Sequence, residues 1–162
     1  MNKISIIFIC TGNICRSPTA EVIFKSKIEQ MGLSSFFLVD SAGTHGYHVG
    51  QLPDQRSVMA AKSFNYSFLG IKSRAFDISI DYNNDYIIAM DQTHLNWLIE
   101  NKPIECSSKI DLLMNFDQNY QSNRDVEDPY YGGENGFKLV LEKIQKGIDK
   151  LIEHIKKETT FL

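Results

Sequence analysis

The passage from Lys3 to Gly32 restricts the fold of this chain more than any other. A short β-branched and aromatic run, Lys3-Ile-Ser-Ile-Ile-Phe-Ile9, leads directly into Cys10-Thr-Gly-Asn-Ile-Cys-Arg-Ser17 and then Pro18. The run reads as a buried strand, ended near Gly12. Ser17 is placed to cap a following helix, with Pro18 at its first position, where the missing N–H costs nothing. Ala20, Ile23, Phe24, Ile28 and Met31 give that helix an apolar face, and Gly32 ends it.

The rest of the chain continues the alternation. Phe36 to Val39 reads as a second strand, Asp54 to about Asn65 as a helix and Asp85 to Met90 as a third buried strand. A short helix carrying Leu95, Leu98 and Ile99 follows, then a fourth strand over Ile110 to Leu113. Phe137, Val140, Leu141, Ile144, Ile148, Leu151, Ile152 and Ile155 recur at steps of three and four, which marks a long final helix. Gly147 inside it costs roughly 1 kcal/mol relative to Ala, and the apolar stripe outweighs that. Strands alternating with helices imply an α/β fold with a parallel sheet and right-handed crossovers. Ligands of such sheets bind beyond the carboxyl ends of the strands, the edge to which the first strand delivers Cys10.

Bulk properties narrow the function. A length of 162 residues fits one domain spanning 1–162, able to bury its core without disulfides or metal. A net charge of -3 argues against a nucleic-acid partner, which usually calls for a basic face. The N-terminal apolar run is too short for a secretory core and lacks a small-residue cleavage site. Nor is any apolar run long enough for a membrane span, so the cytoplasm is the expected compartment. Three cysteines, Cys10, Cys15 and Cys106, make an odd count that disfavours a disulfide framework. They have no Cys or His cluster beside them to complete a metal site, and the four histidines are scattered, with His154 expected on the surface.

Cys10 to Ser17 contains the parts that phosphoryl transfer to sulfur requires. The nucleophile must be a thiolate, since the protonated thiol is a poor one. A loop closing onto a helix N-terminus offers main-chain N–H donors and the positive end of a dipole, which favour a thiolate and a phosphate alike. Thr11, Gly12, Asn13, Ile14 and Cys15 would hold phosphate through this loop, and Gly12 allows a close approach of backbone. Arg16 can present a planar fork to two oxygens. A Walker-type loop is excluded because no Gly-Lys-Ser/Thr follows. An acid for the leaving oxygen and a base for the ensuing water are also needed. Asp128-Pro-Tyr-Tyr-Gly-Gly133, a turn-forming stretch before the last helix, supplies a carboxylate.

In combination, Cys10-Thr-Gly-Asn-Ile-Cys-Arg-Ser-Pro18, Asp40-Ser-Ala-Gly-Thr44, Met90-Asp91 and Asp128-Pro-Tyr-Tyr131 resemble the low-molecular-weight protein tyrosine phosphatases. The resemblance covers essentially the whole chain. It implies a three-layer α/β/α fold around a four-stranded parallel sheet, no cofactor or metal, and a two-step reaction through a phosphocysteine. Its substrates would be tyrosine-phosphorylated proteins or peptides, and it would also bind phosphate or similar oxyanions. Carried over by position, Cys10 is the nucleophile, Arg16 clamps the phosphate and Ser17 supports the leaving thiolate. Asp128 is general acid and then general base, and Asn13 with Ser41 holds the loop open. Tyr47, Tyr130 and Tyr131 would line an aromatic slot that admits phosphotyrosine and keeps phosphoserine from reaching Cys10. Cys15 matches the family's second loop cysteine, which traps an oxidised nucleophile as a reversible disulfide, so the enzyme would be redox-sensitive. Two positions depart from the pattern. Thr11 stands where many members carry a large apolar residue, and Ile71 where a histidine often joins the Asn–Ser network, which predicts a loop with fewer polar braces.

Rivals share the fold and loop. Thiol-dependent arsenate reductases need relay cysteines, and Cys106 stands alone in the second half. Protein-arginine phosphatases tend to carry threonine where Ile14 stands and to lack the tyrosine pair. A non-enzymatic phosphotyrosine-binding module would lose Cys10, Arg16 or Asp128, and all three are present.

Overall fold

The computed structural model describes residues 3–130 and 132–160. Four strands, β1 (Ile4–Cys10), β2 (Phe37–Gly43), β3 (Tyr86–Ala89) and β4 (Lys109–Leu112), form one parallel sheet in the order β2-β1-β3-β4. The helices are α1 (Arg16–Gln30), α2 (Gln55–Lys62), α3 (Gln92–Glu100) and α4 (Gly133–Glu158). This is the α/β fold expected, with the loop of interest between β1 and α1.

Side-chain alternation along β1 builds both halves of the core. Ile6, Phe8 and Cys10 join Ile23 and Phe24 of α1 and Leu141, Ile144 and Ile148 of α4 in one buried cluster. Ile7 and Ile9 point the other way, into a second cluster with Phe76, Tyr82 and Leu98 of α3. A strand covered on both faces is apolar along its length, which is why β1 reads as a continuous run rather than an alternating one. The chain leaves β1 for β2 on one side, then crosses to β3 on the other. The β1–α1 loop therefore lies where the strand order reverses, a natural crevice.

Local details differ from the sequence expectations in instructive ways. Helix α1 starts at Arg16, and its N-cap, Cys15, makes no side-chain capping bond. Ser17 is thus not the cap but lies inside the first turn, its hydroxyl free for other work. Met31 and Ile99, assigned to apolar faces, are half exposed. Strand β2 runs on to Gly43, further than its large apolar residues indicate, because its second half is Asp40 followed by the small buried residues Ser41, Ala42 and Gly43. Gly147 has a packing reason: a Cβ there would come within 2.6 Å of Leu113 Cγ, in the 3-10 turn Leu113–Phe116 against which α4 packs. No helix among the described residues is long and apolar enough to cross a membrane.

Candidate active site

The loop after β1 is held from outside by its carbonyls. Thr44 N–H donates to Cys10 O (2.9 Å), His45 N–H to Thr11 O (3.0 Å), Asp54 N–H to Ile14 O (2.8 Å) and Thr19 N–H to Cys15 O (3.2 Å). The Ser73 hydroxyl donates to Gly12 O at 2.8 Å. With these carbonyls turned away, the N–H groups of residues 12–15 have no protein acceptor among the described residues. Successive N–H groups pointing one way at a helix N-terminus make an anion cradle. Asn13 sits in the left-handed region at φ 56, a conformation that asparagine tolerates better than most residues. At Gly12 the backbone passes close to His48: a Cβ there would lie 2.8 Å from Cδ2, so the ring would have to turn aside.

A directed chain of hydrogen bonds runs beneath the cradle. The Asn13 amide nitrogen can only donate, and it does so to Ser17 Oγ (2.8 Å) and Ser41 Oγ (2.9 Å), while Arg74 N–H donates to Asn13 Oδ1 (2.9 Å). Ser41 passes its proton to buried Glu21 Oε2 at 2.5 Å. Ser17 is left with a proton to offer, with Cys10 Sγ 3.0 Å away and Ala42 O a longer alternative at 3.4 Å. Ile71 takes no part in this network. Ser73 and Arg74, just beyond it, brace the loop instead, so the expectation of a sparsely held loop gives way to one with a different set of braces.

Arg16 is buried and anchored at one nitrogen. Its Nη1 donates to Asp91 Oδ2 (2.6 Å) and Val126 O (3.0 Å), while Nη2 faces Asp128 Oδ2 at 3.5 Å. Asp91 also caps α3 and accepts the His94 N–H. Burial opposes its charge, yet His94 and Arg16 hold its carboxyl below the usual range. His94 is pushed down to about 4 by burial and then by Arg16, against the pull of Asp91 and Asp128. With the ring neutral at ordinary pH, the positive charge that Asp91 meets is that of Arg16.

The acid loop closes the other wall. Tyr130 N–H donates to Asp128 Oδ1 (3.0 Å), leaving Oδ2 towards Arg16. Arg56 of α2 donates to Tyr130 O (2.9 Å), lies 5.0 Å from the centre of its ring, and is fixed to Asp54. Cys10, Thr11, Gly12, Ile14, Cys15, Arg16, Tyr47, His48, Asp128 and Tyr130 together line a cleft of about 260 Å³. Tyr47 is mostly exposed and stacks on His45, with ring centres 4.9 Å apart. Tyr131 lies outside the described residues. Cys15 is buried, and its thiol is pushed up to about 12 by burial and by Asp54, partly relieved by Ser57. Among the described residues no group of three or more His, Cys, Asp or Glu is arranged to hold a metal ion.

A profile of the low molecular weight phosphotyrosine protein phosphatases matches residues 5–160. This chain belongs to that family. The low molecular weight phosphotyrosine protein phosphatase of Saccharomyces cerevisiae is 39% identical over 148 residues, covering 88% of this chain and 89% of its own. The crystal structure of YfkJ from Bacillus subtilis superposes with a TM-score of 0.92 at 35% identity, covering 99% of both chains. DARP, a Drosophila arginine phosphatase, superposes at 0.87 with 29% identity, covering 95% of this chain and 99% of its own.

Family membership leaves several contributors that the sequence did not disclose. His94, His48, Arg56, Glu21 and Ser73 all touch the cleft or its supports. Glu21 had a weak signal, since it lies one helical turn after Ser17 on the same face. The others meet the loop only through the tertiary fold.

Proposed function

We propose that this phosphatase hydrolyses phosphotyrosine in proteins and peptides through a phosphocysteine formed on Cys10. The observation that carries this reading is the placement of Cys10 Sγ under a cradle of unpaired N–H groups, with Arg16 and Asp128 on its walls. In the first step the sulfur–phosphorus bond forms as the ester oxygen–phosphorus bond breaks. Asp128 gives its proton to the departing phenolic oxygen. In the second, Asp128 takes a proton from water as the water attacks phosphorus, and the sulfur leaves as a thiolate that accepts from Ser17. Arg16 Nη2 and the N–H groups of residues 12–15 hold the equatorial oxygens throughout, fixed donors that need no rearrangement as charge moves. Asn13 and Ser41 keep the loop in shape, and Tyr47 with Tyr130 flank the aryl ring. Three free cysteines suit a reducing compartment, and we assign the enzyme to the cytoplasm.

The test is release of phosphate from phosphotyrosine and phosphoarginine peptides without added metal. The phosphotyrosine peptide should be turned over at least about tenfold faster in kcat/KM, a difference of about 1.4 kcal/mol in transition-state binding. The reverse preference would favour the arginine phosphatase reading, for which the likeness to DARP is the supporting observation. Cys10→Ser should abolish turnover; a variant with full activity would remove the nucleophile assignment. Asp128→Asn should slow substrates with poor leaving groups most.

A further inference from the structure

Resting on the phosphatase reading of the cleft, we propose that the Thr11 hydroxyl donates a hydrogen bond to an oxygen of the bound phosphoryl group, and that buried His94 is the positioning residue that aims it. The direction of one hydrogen bond decides this. His94 Nε2 lies 2.8 Å from Thr11 Oγ1, and that bond can run either way. The other ring nitrogen decides. His94 Nδ1 accepts the Asp91 main-chain N–H at 3.2 Å, and a peptide N–H has no alternative but to donate. Asp91 Oδ1 also lies 3.1 Å from Nδ1, but it takes the His94 main-chain N–H, whereas the Asp91 N–H is aimed at Nδ1 and has no other acceptor among the described residues. Nδ1 therefore carries the lone pair and Nε2 the proton.

It follows that Thr11 Oγ1 accepts from His94, and its own proton is uncommitted. Thr11 lines the cleft beside Cys10, and among the described residues its hydroxyl has no protein acceptor besides the His94 ring. A hydroxyl whose acceptor side is filled has one favourable use left, which is donation to an acceptor in the cleft. A phosphoryl oxygen is the strongest acceptor the site is built to receive. The arrangement also makes sense of the burial of His94, which is 1% exposed. It closes the capping box of α3 through Asp91, the residue that anchors Arg16, and so ties two phosphate-facing groups to one rigid helix start.

Two measurements test this. Nitrogen-15 spectra of the imidazoles of the wild-type protein at neutral pH should show His94 with Nε2 protonated and Nδ1 bare. The opposite tautomer would make Thr11 the donor to the ring and overturn the proposal. Inorganic phosphate then serves as the ligand, its binding followed by calorimetry and by competitive inhibition. Thr11→Val should weaken it roughly tenfold or more, as expected for loss of a hydrogen bond to a charged group, and Thr11→Ser should stay within about threefold of wild type. Equal binding by the valine variant would overturn the assignment. Combining Thr11→Val with His94→Leu should lose clearly less than the product of the two single fold-changes, since the Thr11 share is counted once; fully additive losses would break the link between the two residues. A wild-type protein that binds phosphate in this Thr11-dependent way yet ignores phosphotyrosine peptides would remove the substrate reading and leave this inference standing. Failure to bind phosphate at all would remove both.

Discussion

The support of Cys10 depends on which way each hydroxyl points. Asn13 can only donate from its amide nitrogen, so Ser17 must pass its proton onward, and the sulfur 3.0 Å away is the group that gains when it leaves as a thiolate. Ser17→Ala removes that proton and leaves the loop carbonyls anchored. Loss of a hydrogen bond to a charged group is worth roughly 1.5–3 kcal/mol. Breakdown of the phosphocysteine should slow by about 10- to 100-fold, and a rapid-mixing experiment with a good aryl leaving group should show a burst of phenol followed by a slow steady state. Slowing of the burst itself with no change in its aftermath would contradict the assignment. Such consecutive loop residues were legible in the sequence because the cradle is contiguous, and Asp128 because its turn chemistry is local. Glu21, Arg56 and His94 were not. Each meets the site across a tertiary contact, and nothing in a side chain's own neighbourhood states which loop it will face.

Helix α4 shows the same limit on a larger element. Its apolar stripe marks the helix, whereas the reason for Gly147 lies in Leu113, which packs against it from outside the helix. Ala is about 1 kcal/mol better than Gly inside a helix, so Gly147→Ala would stabilise an isolated one. Here the added methyl meets a fully buried leucine at 2.6 Å, and overpacking commonly costs about 1–3 kcal/mol. The variant should be less stable by on the order of 1 kcal/mol, read as a lower urea midpoint at unchanged slope. In a Leu113→Ala background the sign should reverse. Helix α1 offers the complementary lesson. Ser-Pro reads as a cap and first residue, but the helix begins earlier, at Arg16, and its N-cap Cys15 makes no side-chain bond, so its open N–H groups continue the cradle.

At the scale of the whole molecule, the buried ring of His94 links catalysis to acid stability. Its folded value, about 4, lies below the usual 6.5, so the unfolded chain binds a proton over that interval and the native protein does not. Stability therefore rises with pH there, and falls as the pH drops from 6.5 towards about 4, by a few kcal/mol at most. Arg16 and His45 oppose charging of the ring, and Asp91 and Asp128 favour it. Urea midpoints at pH 7, 5.5 and 4.5 should fall more steeply for the wild type than for His94→Gln, which has nothing to titrate; parallel slopes would exclude His94 as the source. The overall architecture was readable in advance, since strand and helix periods alternate cleanly from β1 to α4. The sheet's lateral order was not, since a crossover from one side of β1 to the other leaves no mark on either strand.

The outward-tied carbonyls of the β1–α1 loop have a consequence for how this protein tolerates change. A peptide N–H belongs to every residue but proline, so most substitutions in the cradle cannot delete the groups that would grip an anion. Vulnerability is instead exported to the anchors: to Ser73, which pins Gly12 from the far end of a loop, and to the segments around Thr44 and Asp54, whose backbone holds Cys10 and Ile14. A chain can thus keep its most chemically active stretch intact and still be disarmed by a change sixty-one positions away.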